Sequence, residues 1–178
     1  MAIGIGIVVG LIVIVGLALL FVVDRRTPRQ LLDQEDGQDP IKRWARGCYS
    51  MVFGKDDPAK NATKGCVGTL RDYWEIESTE QVRATLAELQ TVPEGNVAWD
   101  LMRVIIVARF AEGAKYIAAS ESWAAIAAVR PRLQQAFGSW PELASAYERA
   151  REAAGFGTDQ MKQNRSEAEQ IWQLVPYK

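Results

Sequence analysis

The chain contains no histidine. That excludes the usual serine or cysteine triad and any histidine metal site, and leaves acid–base chemistry at neutral pH to carboxylates tuned by burial. Cysteine is scarce, with only Cys48 and Cys66, and these form neither a CxxC pair nor part of a ligand cluster. A basic excess is also missing. Lysine and arginine total 21 against 22 acids, a net charge of −1, so the clustered basic face of a nucleic-acid binder is not expected. No glycine-rich phosphate loop precedes a helix. No metal, no cofactor and no nucleic acid is therefore expected.

Charged side chains are absent from the first 23 residues. Ala2 to Val23 reads AIGIGIVVGLIVIVGLALLFVV, and at ~1.5 Å per residue such a helix spans the ~30 Å of a bilayer's hydrocarbon core. No Lys or Arg precedes the run, it is longer than a signal-peptide core, and it ends in a poor cleavage site, so an uncleaved anchor is expected over 1–23. Arg25, Arg26 and Arg29 follow at once. The positive-inside bias then places the N-terminus outside and the rest of the chain in the cytoplasm, at a bacterial inner membrane. In that compartment the two cysteines are expected as free, buried thiols. Gly6 and Gly10 form a GxxxG pair, the candidate for helix packing and for self-association through the membrane helix. Glycine is also simply common in such helices.

Residues 24–40 carry two prolines, a glycine and many charges and read as a juxtamembrane linker. From 41 to 178 the pattern is helical. Ile41, Trp44, Ala45, Cys48, Tyr49 and Val52 make one apolar stripe, stopped at Gly54. Lys55 to Gly68 reads as an exposed loop, and Arg71 to Ile76 as a short aromatic segment. Ser78 with Gln81 fits a capping box, Asn96 can cap the next helix, and Ser139 with Glu142 fits a second box. The segment Val97 to Tyr116 is apolar on nearly every face and is expected to be buried all round. Ser120 is placed as the cap of the following helix, with Pro131 kinking or splitting it. A last helix runs from about Thr158 to Leu174. The fold class expected is all-α: one N-terminal transmembrane helix, then about six helices around a central buried one.

Asp100, Arg103 and Arg109 interrupt that central helix. A buried charge must be paired. One reading makes Asp100–Arg103 an internal ion pair and gives Arg109 to carbonyls or to an acid such as Glu112. The other makes Trp99, Asp100, Arg103 and Arg109 a pocket in which arginine grips an anion.

The order of Tyr73-Trp74-Glu75-Ile76, Trp99-Asp100-x-x-Arg103, Trp123, Ser139-Trp140, Tyr147 and Trp172-x-Leu174-x-Pro176 resembles the bacterial YbeU/YbeR-type family, a domain of unknown function. The resemblance spans roughly Trp44 to Pro176. It implies a helical bacterial domain in which Trp99, Asp100, Arg103 and Arg109 are shared scaffold or shared pocket, and it brings no activity.

The function expected first is a membrane-tethered, cytoplasm-facing protein-interaction module, such as an immunity or inhibitor protein or an accessory subunit. Its partners are the lipid bilayer and a protein, met through exposed aromatics. Tyr49 and Phe53 on the first helix and Trp172 and Tyr177 near the C-terminus are the interface candidates. The alternative is a ligand-binding or enzymatic domain with an Arg-lined anion pocket.

Overall fold

The structure, a computed structural model, describes residues 26–93 and 95–178. The anchor expected over 1–23, with Gly6 and Gly10, lies outside the described residues. Among the described residues no helix is long and apolar enough to cross a membrane.

All regular structure among the described residues is helical. The helices are α1 (Pro28–Leu31), α2 (Pro40–Phe53), α3 (Thr63–Trp74), α4 (Thr79–Gln90), α5 (Val97–Gly113), α6 (Ala119–Ala136), α7 (Trp140–Ala153) and α8 (Asp159–Trp172). A π turn, Leu32–Asp36, continues α1, and a 3-10 turn, Pro58–Lys60, precedes α3.

The central element is α5. Fourteen of its 17 residues are buried, which is why its sequence shows no polar face. It packs against α2, α3, α4, α6, α7 and the 3-10 turn, while α2 and α8 form a second extended contact. Local chemistry starts the flanking helices where the sequence indicates. Ser78 accepts from the Gln81 amide at 3.2 Å, Asn96 from Trp99 at 3.0 Å and Ser139 from Glu142 at 3.4 Å. Cys48 and Cys66 are buried free thiols.

Several expectations give way to packing. Within 24–40, residues 28–36 are helical: Thr27 and Gln30 cap each other around Pro28, and Leu31 and Leu32 are buried. The stretch read as a loop over 55–68 holds the 3-10 turn and the start of α3. Cys66 and Leu70 lie fully buried in the core, and this packing overrides the low helix propensity of Gly65 and Gly68. α3 closes on Glu75 in the left-handed region, φ 56°, with the Ile76 amide donating back to the Leu70 carbonyl at 3.1 Å. Ser120 is not a cap, because α6 already starts at Ala119, behind Ala118. Pro131 does not split α6, which runs through it to Ala136. The helix packs on the central helix α5.

Candidate functional site

The charges on α5 part company. Asp100 is fully buried and ion-pairs with Arg103 across one helical turn at 3.0 Å. Arg109 is only 3% exposed and faces the other way. Its guanidinium donates to Asp57 at 2.8 and 3.1 Å, to Ser122 at 3.2 Å and to Glu112, and its carbon lies 3.9 Å from the centre of the Trp123 ring. All three nitrogens of that guanidinium are hydrogen-bonded and it lies against a ring, so Arg109 is a packing element.

A second buried cation stands beside it. Arg46 of α2 is fully buried and is held by Asp36, by Glu35 at 2.7 Å and by the Lys55 carbonyl at 2.9 Å. Burial alone would lower its pKa, but Asp36, Tyr49 and Glu35 together hold it above the ordinary arginine value. Tyr49 lies against this cation, with the Arg46 guanidinium 5.5 Å from its ring centre. Burial first, then the Asp57 charge, push the Tyr49 phenol well above its usual pKa.

Trp99 and Arg103 open onto a different region. A chamber of about 400 Å³ is walled by Trp74, Trp99, Arg103, Tyr147, Arg151 and Phe156, with Phe53 and Phe110 at its floor. Trp99 stacks on Tyr147 at 5.7 Å and an interplanar angle of 27°, and meets Phe156 at 5.7 Å. Arg103 lies 4.8 Å from the Trp99 ring centre and 5.8 Å from that of Trp74. Arg151 lies 5.6 Å from Phe156. Phe53 and Phe110 meet edge to face at 5.6 Å. The Trp99 indole N–H is buried and finds no acceptor among the described residues. Buried tryptophan N–H groups ordinarily have one. Burial raises the Tyr147 phenol, and the neighbouring Arg151 charge pulls it partly back.

Beyond Phe53 lies a second, polar chamber of about 540 Å³, lined by Lys55, Asp56, Asn61, Gln160, Asn164 and Glu167 among others. Val52, Phe53 and Arg151 belong to both walls. The aromatic chamber and its polar neighbour, which share these walls, are together termed the groove.

The four pocket candidates are thus divided: Trp99 and Arg103 line the groove, Asp100 holds Arg103 from behind, and Arg109 lies elsewhere. Of the interface candidates, Phe53 lines the groove. Tyr49 and Tyr177 are buried and are not available as exposed aromatics. Tyr49 lies among the buried charges, and Tyr177 packs edge to face on Trp140 at 4.8 Å. Trp172 is half-buried, its indole N–H given to the Gly47 carbonyl at 2.9 Å. Among the described residues the large apolar side chains left exposed are Tyr73 (77%) and Phe156 (48%), both at the groove. Tyr73, Arg151 and Phe156 also line the groove, although no sequence motif marks them. Arg151 and Phe156 flank the turn after α7 and read locally as helix end, and only the fold brings them to Trp99.

The family described as "Protein of unknown function (DUF1266)" matches residues 87–175. The chain belongs to that family. The matched stretch holds Trp99, Arg103, Tyr147, Arg151 and Phe156, while Phe53, Tyr73 and Trp74 come from the part before it. The match supports a domain of unknown function and does not carry the narrower YbeU/YbeR-type likeness. No curated protein and no solved structure matches the chain.

Proposed function

We propose that this is a ligand-binding domain, and that its ligand is a small molecule with an apolar, planar body and an acidic group, held in the groove between α3, α5 and α7. The observation that carries this reading is the aromatic chamber: ring faces, two arginines and one buried donor without an acceptor among the described residues converge on about 400 Å³. That volume lies within the ~300–1,000 Å³ of small-molecule sites. Among the described residues the aromatic chamber is lined chiefly by rings, aliphatic side chains and arginines, a lining that suits recognition of an apolar, acidic ligand.

A screen of small aromatic acids for thermal stabilisation of the full-length protein tests the reading. A stabilising compound whose effect is lost in Phe156→Ala supports it. Phe156 is half-exposed, so that variant keeps its fold. Stabilisation that is unchanged in Phe156→Ala overturns the groove as the site.

A second reading keeps a protein partner, with the domain tethered at the bacterial inner membrane through residues 1–23, as an immunity protein or accessory subunit would be. The exposed Tyr73 at the groove's edge favours it. Tyr73→Glu would then abolish a defined stoichiometric complex.

A further inference from the structure

The two arginines of the groove differ in what already holds them. Arg103 is ion-paired with Asp100 at 3.0 Å and lies against both Trp99 and Trp74, so it belongs to the wall. Arg151 is half-buried, and its Nε donates to the Gly157 carbonyl at 2.7 Å. The guanidinium also lies within hydrogen-bonding reach of the Tyr147 hydroxyl, and its five N–H groups leave others for a further acceptor. No carboxylate among the described residues forms an ion pair with Arg151. Its side chain belongs to both chambers, at the border between aromatic and polar walls.

The polar chamber limits what the anion can be. Lys55 and Arg151 are matched there by Asp56 and Glu167. Two acids against two bases give no field for a polyanion, whose further charges would meet carboxylates. One carboxylate on Arg151 is satisfied by a bidentate contact.

We propose that Arg151 is the anion anchor of the groove and that the ligand class is an aromatic monocarboxylate. Its ring lies in the chamber of Trp74, Trp99 and Phe156, its carboxylate on Arg151, and an acceptor atom of the ligand takes the Trp99 indole N–H. This inference rests on the ligand-binding reading above and adds the anchoring residue and the charge of the ligand.

The probes are naphthoate, the amide of the same acid, and naphthyl phosphate, titrated into the full-length protein and followed by tryptophan fluorescence. Naphthoate is expected to bind about tenfold more tightly than its neutral amide, the gain of a charge-assisted contact. Arg151→Gln should bring the two to equal affinity, and Arg151→Lys should keep a preference for the acid. The phosphate should bind no better than the carboxylate. Equal affinity of acid and amide for the wild type, or a preference that survives Arg151→Gln, overturns Arg151 as anchor and leaves the groove reading standing. A phosphate bound tenfold more tightly than naphthoate overturns the monocarboxylate class alone. Failure of all three to bind overturns this inference, while the wider stabilisation screen still decides the groove.

Discussion

Arg109 on α5 and Asp57, at the start of the 3-10 turn, are joined by two hydrogen bonds, 2.8 Å from Nη2 and 3.1 Å from Nε. Both side chains are buried, and the pair ties the irregular stretch between α2 and α3 to the central helix. Removing Asp57 leaves Nε and Nη2 of Arg109 buried without their acceptors, while Nη1 keeps Glu112 and Ser122. Asp57→Ala is expected to cost about 3–5 kcal/mol of folding stability. Urea denaturation checks it, and a loss below about 1 kcal/mol would mean the pair is solvated in the way surface pairs are.

Gly113 ends α5 where α3 and the 3-10 turn crowd it. A Cβ there would lie 2.5 Å from the Cys66 sulfur and 3.0 Å from the Ala59 carbonyl oxygen. The carbonyl is backbone and cannot swing away. Gly113→Ala should therefore destabilise by about 1–3 kcal/mol, the range for overpacked sites, although alanine is otherwise the better helix former. A thermal midpoint equal to the wild type's would show that the contact relaxes freely.

The last residues close the far side of the core. The Trp44 indole donates to the Tyr177 carbonyl at 3.1 Å, the Trp140 indole to the Val175 carbonyl at 2.8 Å, and the Tyr177 hydroxyl to the Leu133 carbonyl at 2.8 Å. Removing residues 175–178 leaves two buried indole donors without acceptors. Each such group costs about 1–3 kcal/mol. The truncated protein is expected to melt well below the full chain, and Tyr177→Phe, which keeps both backbone acceptors, only slightly below it.

Much of this architecture is legible in the sequence because it rests on local rules. The caps at Ser78, Asn96 and Ser139 and the unbroken apolar run of α5 need no knowledge of the fold. α3 is hard to read from the sequence because its two internal glycines mask a stripe, Cys66, Leu70 and Trp74, that packs against α5. The segment 28–36 reads as a charged linker because the cation that neutralises it, Arg46, is ten residues away in sequence and buried. The site was half legible. Trp99 and Arg103 stand out as odd residues on an apolar helix. Arg151 and Phe156 obey every local rule of a helix end and acquire meaning only through contacts with Trp99 and Tyr147.

Acid should loosen the clamp on that N-terminal segment. Glu35 ion-pairs with Arg26, Lys60 and Arg46 at 2.7–2.8 Å. Burial by itself would raise its pKa, but Lys60 and Arg46 outweigh it and hold the folded value below the ordinary 4.5. The unfolded chain therefore takes up the proton first. The stabilisation is complete above pH 4.5 and fades as pH falls through the lowered folded value. The stability difference between wild type and Glu35→Gln should shrink as the pH drops below 4.5, and a constant difference would contradict the assignment.

The claim that most needs testing is that the aromatic groove on α5 receives the ligand. The most direct measurement is an indole 1H–15N correlation spectrum of the six tryptophans, recorded while an aromatic carboxylate is added. The account predicts that the Trp99 resonance moves most, Trp74 follows, and Trp44 and Trp140, whose N–H groups are bound to backbone carbonyls in the core, stay in place. Movement of Trp123 or Trp172 with Trp99 unchanged would put the binding site elsewhere and contradict the account.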